Sequence, residues 1–146
     1  MKKSVRLQPV RNIKQQQERL EARKLAELQQ QLQQARNQCA ELQGYLKEYF
    51  GSINDQRQMV RQASQLGLYQ AFVTRLEQAI QHQMQIIRQR EQAVQAQTRK
   101  WIAASSKLKT MDDLIARAQQ QEQLEADKRE QKILDDRPFR GGGGFE

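Results

Sequence analysis

The sequence predicts an all-α protein: two long helices folded back on each other as an antiparallel coiled-coil hairpin. Three observations carry that prediction. Apolar residues step along Leu25, Leu28, Leu32, Ala35, Cys39, Leu42, Leu46, Tyr49 and Ile53 at alternating intervals of three and four, an a/d seam of about four heptads. A second run keeps the same spacing from Tyr69 through Val73, Leu76, Ile80, Ile87, Val94, Trp101, Leu108 and Ile115 to Ala118. Between them stand the turn-favouring pairs Gly51-Ser52 and Asn54-Asp55, then Ser64 and Gly67, and across this stretch the apolar frame slips by one position. A single continuous helix dimerising in parallel is the competing architecture; the slip argues against it.

Composition agrees. The chain has 146 residues, enough for one ordinary domain, but only 37% are hydrophobic and 5% aromatic. That is too little for a thick globular core and enough for a two-helix seam. The polar remainder is rich in Gln, Glu, Lys and Arg, all good helix formers. Of the two prolines, Pro9 and Pro138, neither falls inside the body they bracket.

The first helix is expected over about residues 9–53, with Pro9 in its first turn, where a missing N–H costs nothing. Residues 1–24 are basic: Lys2, Lys3, Arg6, Arg11, Lys14, Arg19, Arg23 and Lys24 face only Glu18 and Glu21. Val10, Ile13 and Leu20 form an apolar edge here, out of phase with the seam, whose backward continuation meets Glu21 and Glu18. These turns are expected to zip loosely. Residues 54–66 read as the hairpin turn, with local helical character around Met59 to Ala63.

The second helix is expected over about 67–135. Three of its seam positions, Gln83, Arg90 and Gln97, are polar, a device that costs stability and fixes register. Folding back pairs Ile53 with Tyr69, Tyr49 with Val73, Leu46 with Leu76 and Leu42 with Ile80. Beyond Ala118 the seam positions become Glu122 and Glu125, so the last turns are expected to project without a partner. Residues 1–137 are thus one coiled-coil domain, and 138–146 a disordered Gly-rich tail. At about 1.5 Å per residue the helices would span roughly 70 and 100 Å, leaving little room for a pocket.

Catalysis is not expected. His82 is the sole histidine and Cys39 the sole cysteine, so a metal site or a Cys-His pair would need both, and no third group supports them. Cys39 at a seam position is a small buried apolar residue, and His82 a solvated one. No Gly-rich phosphate loop occurs, because Gly141 to Gly144 lacks the following Lys and helix. Neither cofactor nor metal is expected. No apolar run approaches transmembrane length, so a cytoplasmic protein without membrane insertion is expected.

Binding features are richer. The net charge of +8 suggests acidic partners. Tyr45 and Phe72 flank the seam beside Tyr49 and Tyr69, near the turn. Such a cluster is either a plug locking the tip or a recognition patch. Trp101 is a space-filling anchor opposite Glu18 and Glu21, or an insertion site for a partner. The basic arm lacks aromatic platforms and nucleic-acid motifs, so a solvated or protein-facing arm is expected rather than nucleic-acid binding.

Two segments carry a resemblance. They are Gln38-Cys39-Ala40-Glu41-Leu42-Gln43-Gly44-Tyr45-Leu46-Lys47-Glu48-Tyr49, and Tyr69-Gln70-Ala71-Phe72-Val73-Thr74-Arg75-Leu76-Glu77-Gln78-Ala79-Ile80. The second is similar to the Tyr-Gln-x-Phe-(x)3-Leu-(x)2-Ala-Ile pattern of the flagellar FliJ family, the coiled-coil stalk component of the flagellar type III export ATPase. Length, charge and two-helix architecture agree over about residues 5–137. The resemblance implies an antiparallel coiled coil like the stalk of rotary ATPases. It implies insertion into the hexameric export ATPase, contact with the cytoplasmic side of the membrane export gate, and handling of export chaperones, peripherally at the inner membrane of the flagellar base. It also implies a gate-contacting surface of Gln38, Leu42, Tyr45, Tyr49, Phe72, Leu76, Ala79 and Gln83. The family pattern can carry His at that last position, where this chain has Gln83 with His82 beside it. By the stalk analogy Arg11, Lys14, Arg19 and Trp101 would meet the ATPase ring. A virulence-type secretion stalk or a generic coiled-coil adaptor is the alternative, and a basic nucleic-acid-associated helical protein a third class.

Overall fold

The computed structural model describes residues 1–55 and 63–137. They form two helices, α1 (Lys3–Asp55) and α2 (Ala63–Asp136), and no strand among the described residues. Both helices exceed the expected bounds. Gly51 and Ser52, which favour a turn in isolation, lie inside α1, and residues 63–66 already belong to α2. A helical glycine costs only about 1 kcal/mol against alanine, which seam packing around Tyr49 outweighs. The remainder of the expected turn (residues 56–62), the helicity around Met59, the Ile53 side chain and the 138–146 tail lie outside the described set. α2 stops at Asp136, where Arg137 precedes Pro138 and is steered out of helical geometry.

The chain divides into two compact units, Met1–Arg19 with Ile102–Glu146, and Leu20–Trp101. In the second unit the helices run antiparallel. Gln31 meets Arg90, Ala35 meets Gln83, and Tyr49 meets Tyr69, so the α2 partner number falls as the α1 number rises. The seam read from the sequence is the buried line: Leu32, Ala35 and Cys39 on α1, Leu76 and Ile80 on α2. Cys39, Leu76 and Ile80 form the core cluster, with Leu42, Leu46 and Ile87 packed on it. Leu20, out of phase with the seam, is exposed.

The polar seam residues find partners. Gln83 is buried, and its Nε2 donates to the Ala35 carbonyl at 3.0 Å and to Gln38 Oε1 at 3.1 Å. Gln97 Nε2 donates to the Glu21 carbonyl at 3.1 Å and also to the Glu21 carboxylate. Half-buried Arg90 donates from Nη1 to Gln31 Oε1 at 2.9 Å, while its buried Nε has no partner. Two of the three layers are thus fully answered. The third is held by one end.

In the first unit the helices are also antiparallel, Ser4 against Glu122 and Arg11 against Asp112. The 3,4 frame of α1 continues to the chain start through Glu18, Lys14, Arg11 and Leu7, all half-buried, to buried Ser4. On α2, Ile115 and Ala118 are buried. The aliphatic residues Val10 and Ile13, which a local reading would send inward, are exposed. The buried line in this unit keeps the 3,4 spacing of an a/d seam, and Val10 and Ile13 fall beside it.

Glu122 is not unpaired as the sequence suggested. It accepts from the Ser4 N–H at 3.0 Å and from Ser4 Oγ at 2.7 Å. The Ser4 N–H is one of the four that no helix can satisfy internally at its start, and the carboxylate also suits the positive end of the helix dipole. The cap answers the first turn of α1, which begins at Lys3 and carries Pro9 as an interior residue. Past Glu122, α2 continues with every described residue exposed.

Two outcomes follow. Ile80→Ala should cost about 2–4 kcal/mol in chemical denaturation followed by circular dichroism, against less than about 0.5 kcal/mol for exposed Leu124→Ala. The backbone and hydroxyl hydrogen bonds of Ser4, with Lys2 nearby, hold the Glu122 carboxyl below the ordinary carboxylate range against a smaller opposing effect of burial. A lowered folded value means that the cap contributes above the ordinary carboxylate value and is lost as pH falls through the lowered one. The Ser4 amide resonance should therefore titrate below the usual glutamate range, and Glu122→Gln should flatten that titration.

Candidate functional site

The site lies in the second unit and is set by which side of the seam each residue flanks. With Leu46 and Tyr49 at the a and d positions, Gln38 and Tyr45 fall at g on α1, and Phe72 and Ala79 at g on α2. All four are exposed, Tyr45 at 56% and Phe72 at 47%. Tyr49 enters the seam and stacks on α2: its ring lies 4.9 Å from Tyr69 and 4.6 Å from Phe72, tilted by 48° and 45°. Tilted contacts of this kind contribute about 0.5–1.5 kcal/mol beyond burial. Part of the aromatic cluster is therefore a plug, and part is left outside it. Tyr49 and Tyr69 lock the two helices together; Tyr45 and the outer edge of Phe72 face solvent.

The eight residues taken from the resemblance do not form one surface. Gln38, Tyr45, Phe72 and Ala79 are exposed, and Leu42 and Tyr49 are half-buried. Leu76 and Gln83 are buried in the seam. Gln83 acts on the patch from beneath, since its amide bonds exposed Gln38 and the α1 backbone together. His82, one residue away, is exposed.

One feature of this end escaped the sequence reading. Phe50, at an e position on the opposite flank, is exposed and lines a shallow groove of about 400 Å³ with Leu66, Tyr69, Gln70, Val73 and Thr74. A count of aromatics beside both flanks of the seam would have found it.

The residues expected at the ATPase ring fall into different settings. Arg11 is half-buried in the first unit with Nε 2.8 Å from Asp112 Oδ1, a partly exposed pair worth at most about 1 kcal/mol. Lys14 is half-buried in the same unit, and Arg19 is exposed. Trp101, in the second unit, is half-buried. Among the described residues no group of His, Cys, Asp and Glu could hold a metal ion, and no helix is long and apolar enough to cross a membrane.

A family model, flagellar FliJ protein, matches residues 1–140. The chain belongs to the flagellar FliJ family. As a FliJ-family chain it is a component associated with the flagellar export apparatus, and that family is a non-catalytic part of it. No curated protein and no solved structure gives a significant match. The match covers both helices, so the seam, the Tyr45–Phe72 flank and the basic arm all lie within the FliJ homology.

Burial, and then the neighbouring Tyr69 phenol, push the Tyr49 hydroxyl above the ordinary phenol value. A raised folded value gives a contribution present below the ordinary value and lost as pH rises through the raised one. In an ultraviolet titration of the Tyr45→Phe, Tyr69→Phe double variant, the remaining Tyr49 should ionise later than in the same chain unfolded in urea. Phe72→Ala, which uncovers the ring, should narrow that gap.

Proposed function

We propose that this FliJ-family chain is the stalk that couples the hexameric export ATPase to the cytoplasmic side of the membrane export gate, and that it also handles export chaperones. It works without catalysis, in the cytoplasm, peripherally at the inner membrane of the flagellar base. The observation that carries the reading is the Tyr45–Phe72 flank: large aromatic side chains held exposed on helices whose seam residues beneath them are locked. Exposed aromatics on a rigid support lose little entropy on docking, which is why such residues dominate interface energetics. Gln38, Leu42, Tyr49 and Ala79 complete the gate contact at its margin, and Leu76 and Gln83 hold it in shape. The exposed cation Arg19, the seam cations Arg11 and Lys14, and Trp101 are assigned to the ATPase ring by the stalk analogy.

Tyr45→Ala tests this most cleanly, because Tyr45 is more exposed than Phe72 and makes no ring contact with Tyr49 or Tyr69. Retention of the chain on the immobilised cytoplasmic domain of the gate should fall at least about tenfold, with helicity and thermal midpoint unchanged. Unchanged retention by both Tyr45→Ala and Phe72→Ala would remove the flank from the gate contact.

A further inference from the structure

Among the exposed aliphatic side chains of the first unit, which also include Val5, Ile102, Leu124, Ile133 and Leu134, three fall together. Val10 and Ile13, at 41% and 53% exposure, lie three residues apart on α1, and Leu114 of α2 is 39% exposed. With Leu7 and Arg11 at d and a, Val10 takes g and Ile13 c; with Met111 and Ile115 at d and a, Leu114 takes g. Like flanking positions face each other across an antiparallel pair. Arg36 and Glu91, both at e, do so at 3.5 Å in the other unit. Val10, Ile13 and Leu114 therefore share one flank of the seam. Leu114 lines a groove of about 690 Å³ that also includes Lys2, Lys3, Arg117 and Gln121.

The charge of this flank has one sign. Its g and c positions carry Lys3 and Arg6 on α1, Lys107 and Arg117 on α2, and no carboxylate over residues 3–17 and 103–124. The two carboxylates lining the groove are engaged, Glu122 by Ser4 and Glu125 by Arg129 at 3.8 Å. Arg11, by contrast, is tied to Asp112. Lys3, Arg6, Lys107 and Arg117 thus edge Val10, Ile13 and Leu114 on this flank.

The combination selects among occupants. A second copy of the chain would bring lysines and arginines against their own kind. Three aliphatic side chains without an aromatic among them make a poor anchor for a bilayer surface. Nucleic acid would find no stacking platform, and its phosphates would desolvate against Val10 and Leu114. A helix with apolar residues at i, i+3 or i+4 and i+7, edged by Glu or Asp, satisfies both the apolar line and the cations.

We propose that the flank of the first unit formed by Lys3, Arg6, Val10 and Ile13 of α1 with Leu114 and Arg117 of α2 docks an acidic amphipathic helix of a partner protein. This flank is separate from the Tyr45–Phe72 contact and does not depend on the gate reading.

The test uses the full chain and a labelled synthetic peptide of about twenty residues, helical, with leucines at that spacing and glutamates along both edges. Fluorescence anisotropy should show binding that weakens about tenfold between roughly 0.05 and 0.3 M salt. Val10→Gln with Ile13→Gln should weaken it at least about tenfold, and Arg6→Glu with Arg117→Glu at least as much, with thermal midpoints unchanged. Several results would overturn the proposal: equal binding of a peptide with scrambled leucines or with lysines replacing glutamates, or affinity untouched by both double variants. Retention on phosphatidylglycerol vesicles that depends on Val10 and Ile13 would make the flank a membrane face instead. A lowered midpoint for the glutamine variant would show these side chains packed in the seam and leave no free face.

Discussion

Cys39 on α1 packs against Leu76 and Ile80 on α2, with Leu42, Leu46 and Ile87 closing around them. In a pair of helices each side chain is covered from one side only, and among the described residues no large side chain is fully buried. The hydrophobic contribution of every layer is therefore partial, at about 25 cal/mol for each Å² removed from water. The same thinness makes polar seam positions tolerable. Gln83 and Gln97 reach backbone carbonyls of α1 that a thicker core would leave out of range, and hydrogen bonding offsets their desolvation. Apolar residues in excess of the seam have nowhere to go but its flanks.

That last point connects the fold to binding. Tyr45, Phe72 and Phe50 are exposed because a heptad has two inward positions and they hold neither. Tyr49, which does hold one, pins Phe72 through ring contact and so limits how far that exposed side chain can move. The flank is presented by a locked seam, and the buried amide of Gln83 extends the lock to Gln38. Export-apparatus membership follows from the family; the proposed gate contact rests on which side chains the seam leaves outside.

The architecture was legible because it rests on spacing. Leu32, Ala35, Cys39, Leu76 and Ile80 are buried where the 3,4 alternation places them, and the polar layers fall at Gln83 and Gln97. Local rules misled at two kinds of position. Gly51-Ser52 reads as a turn, yet the seam carries α1 through it, and Pro9 reads as a start, yet α1 begins six residues earlier at Lys3. Helix limits here are decided by tertiary contacts that no short window contains. The site was legible in part. Spacing put Tyr45 and Phe72 beside the seam, one on each helix, but the resemblance gave eight residues without depth, and burial separates Leu76 and Gln83 from the rest.

The cap on α1 has a consequence for the order in which the chain is completed. Ser4 and Glu122 are 118 residues apart. A ribosome adding about 5–20 residues per second delivers Glu122 on the order of ten seconds after Ser4 has emerged. During that interval the first turn of α1 lacks its acceptor, and the basic start of the chain is open to other acidic groups. The contact between Tyr49 and Tyr69, in the other unit, closes within a much shorter stretch of sequence. Zipping that begins with the aromatic layer and ends at Ser4 would fix the Ser4 turn after the rest of α1.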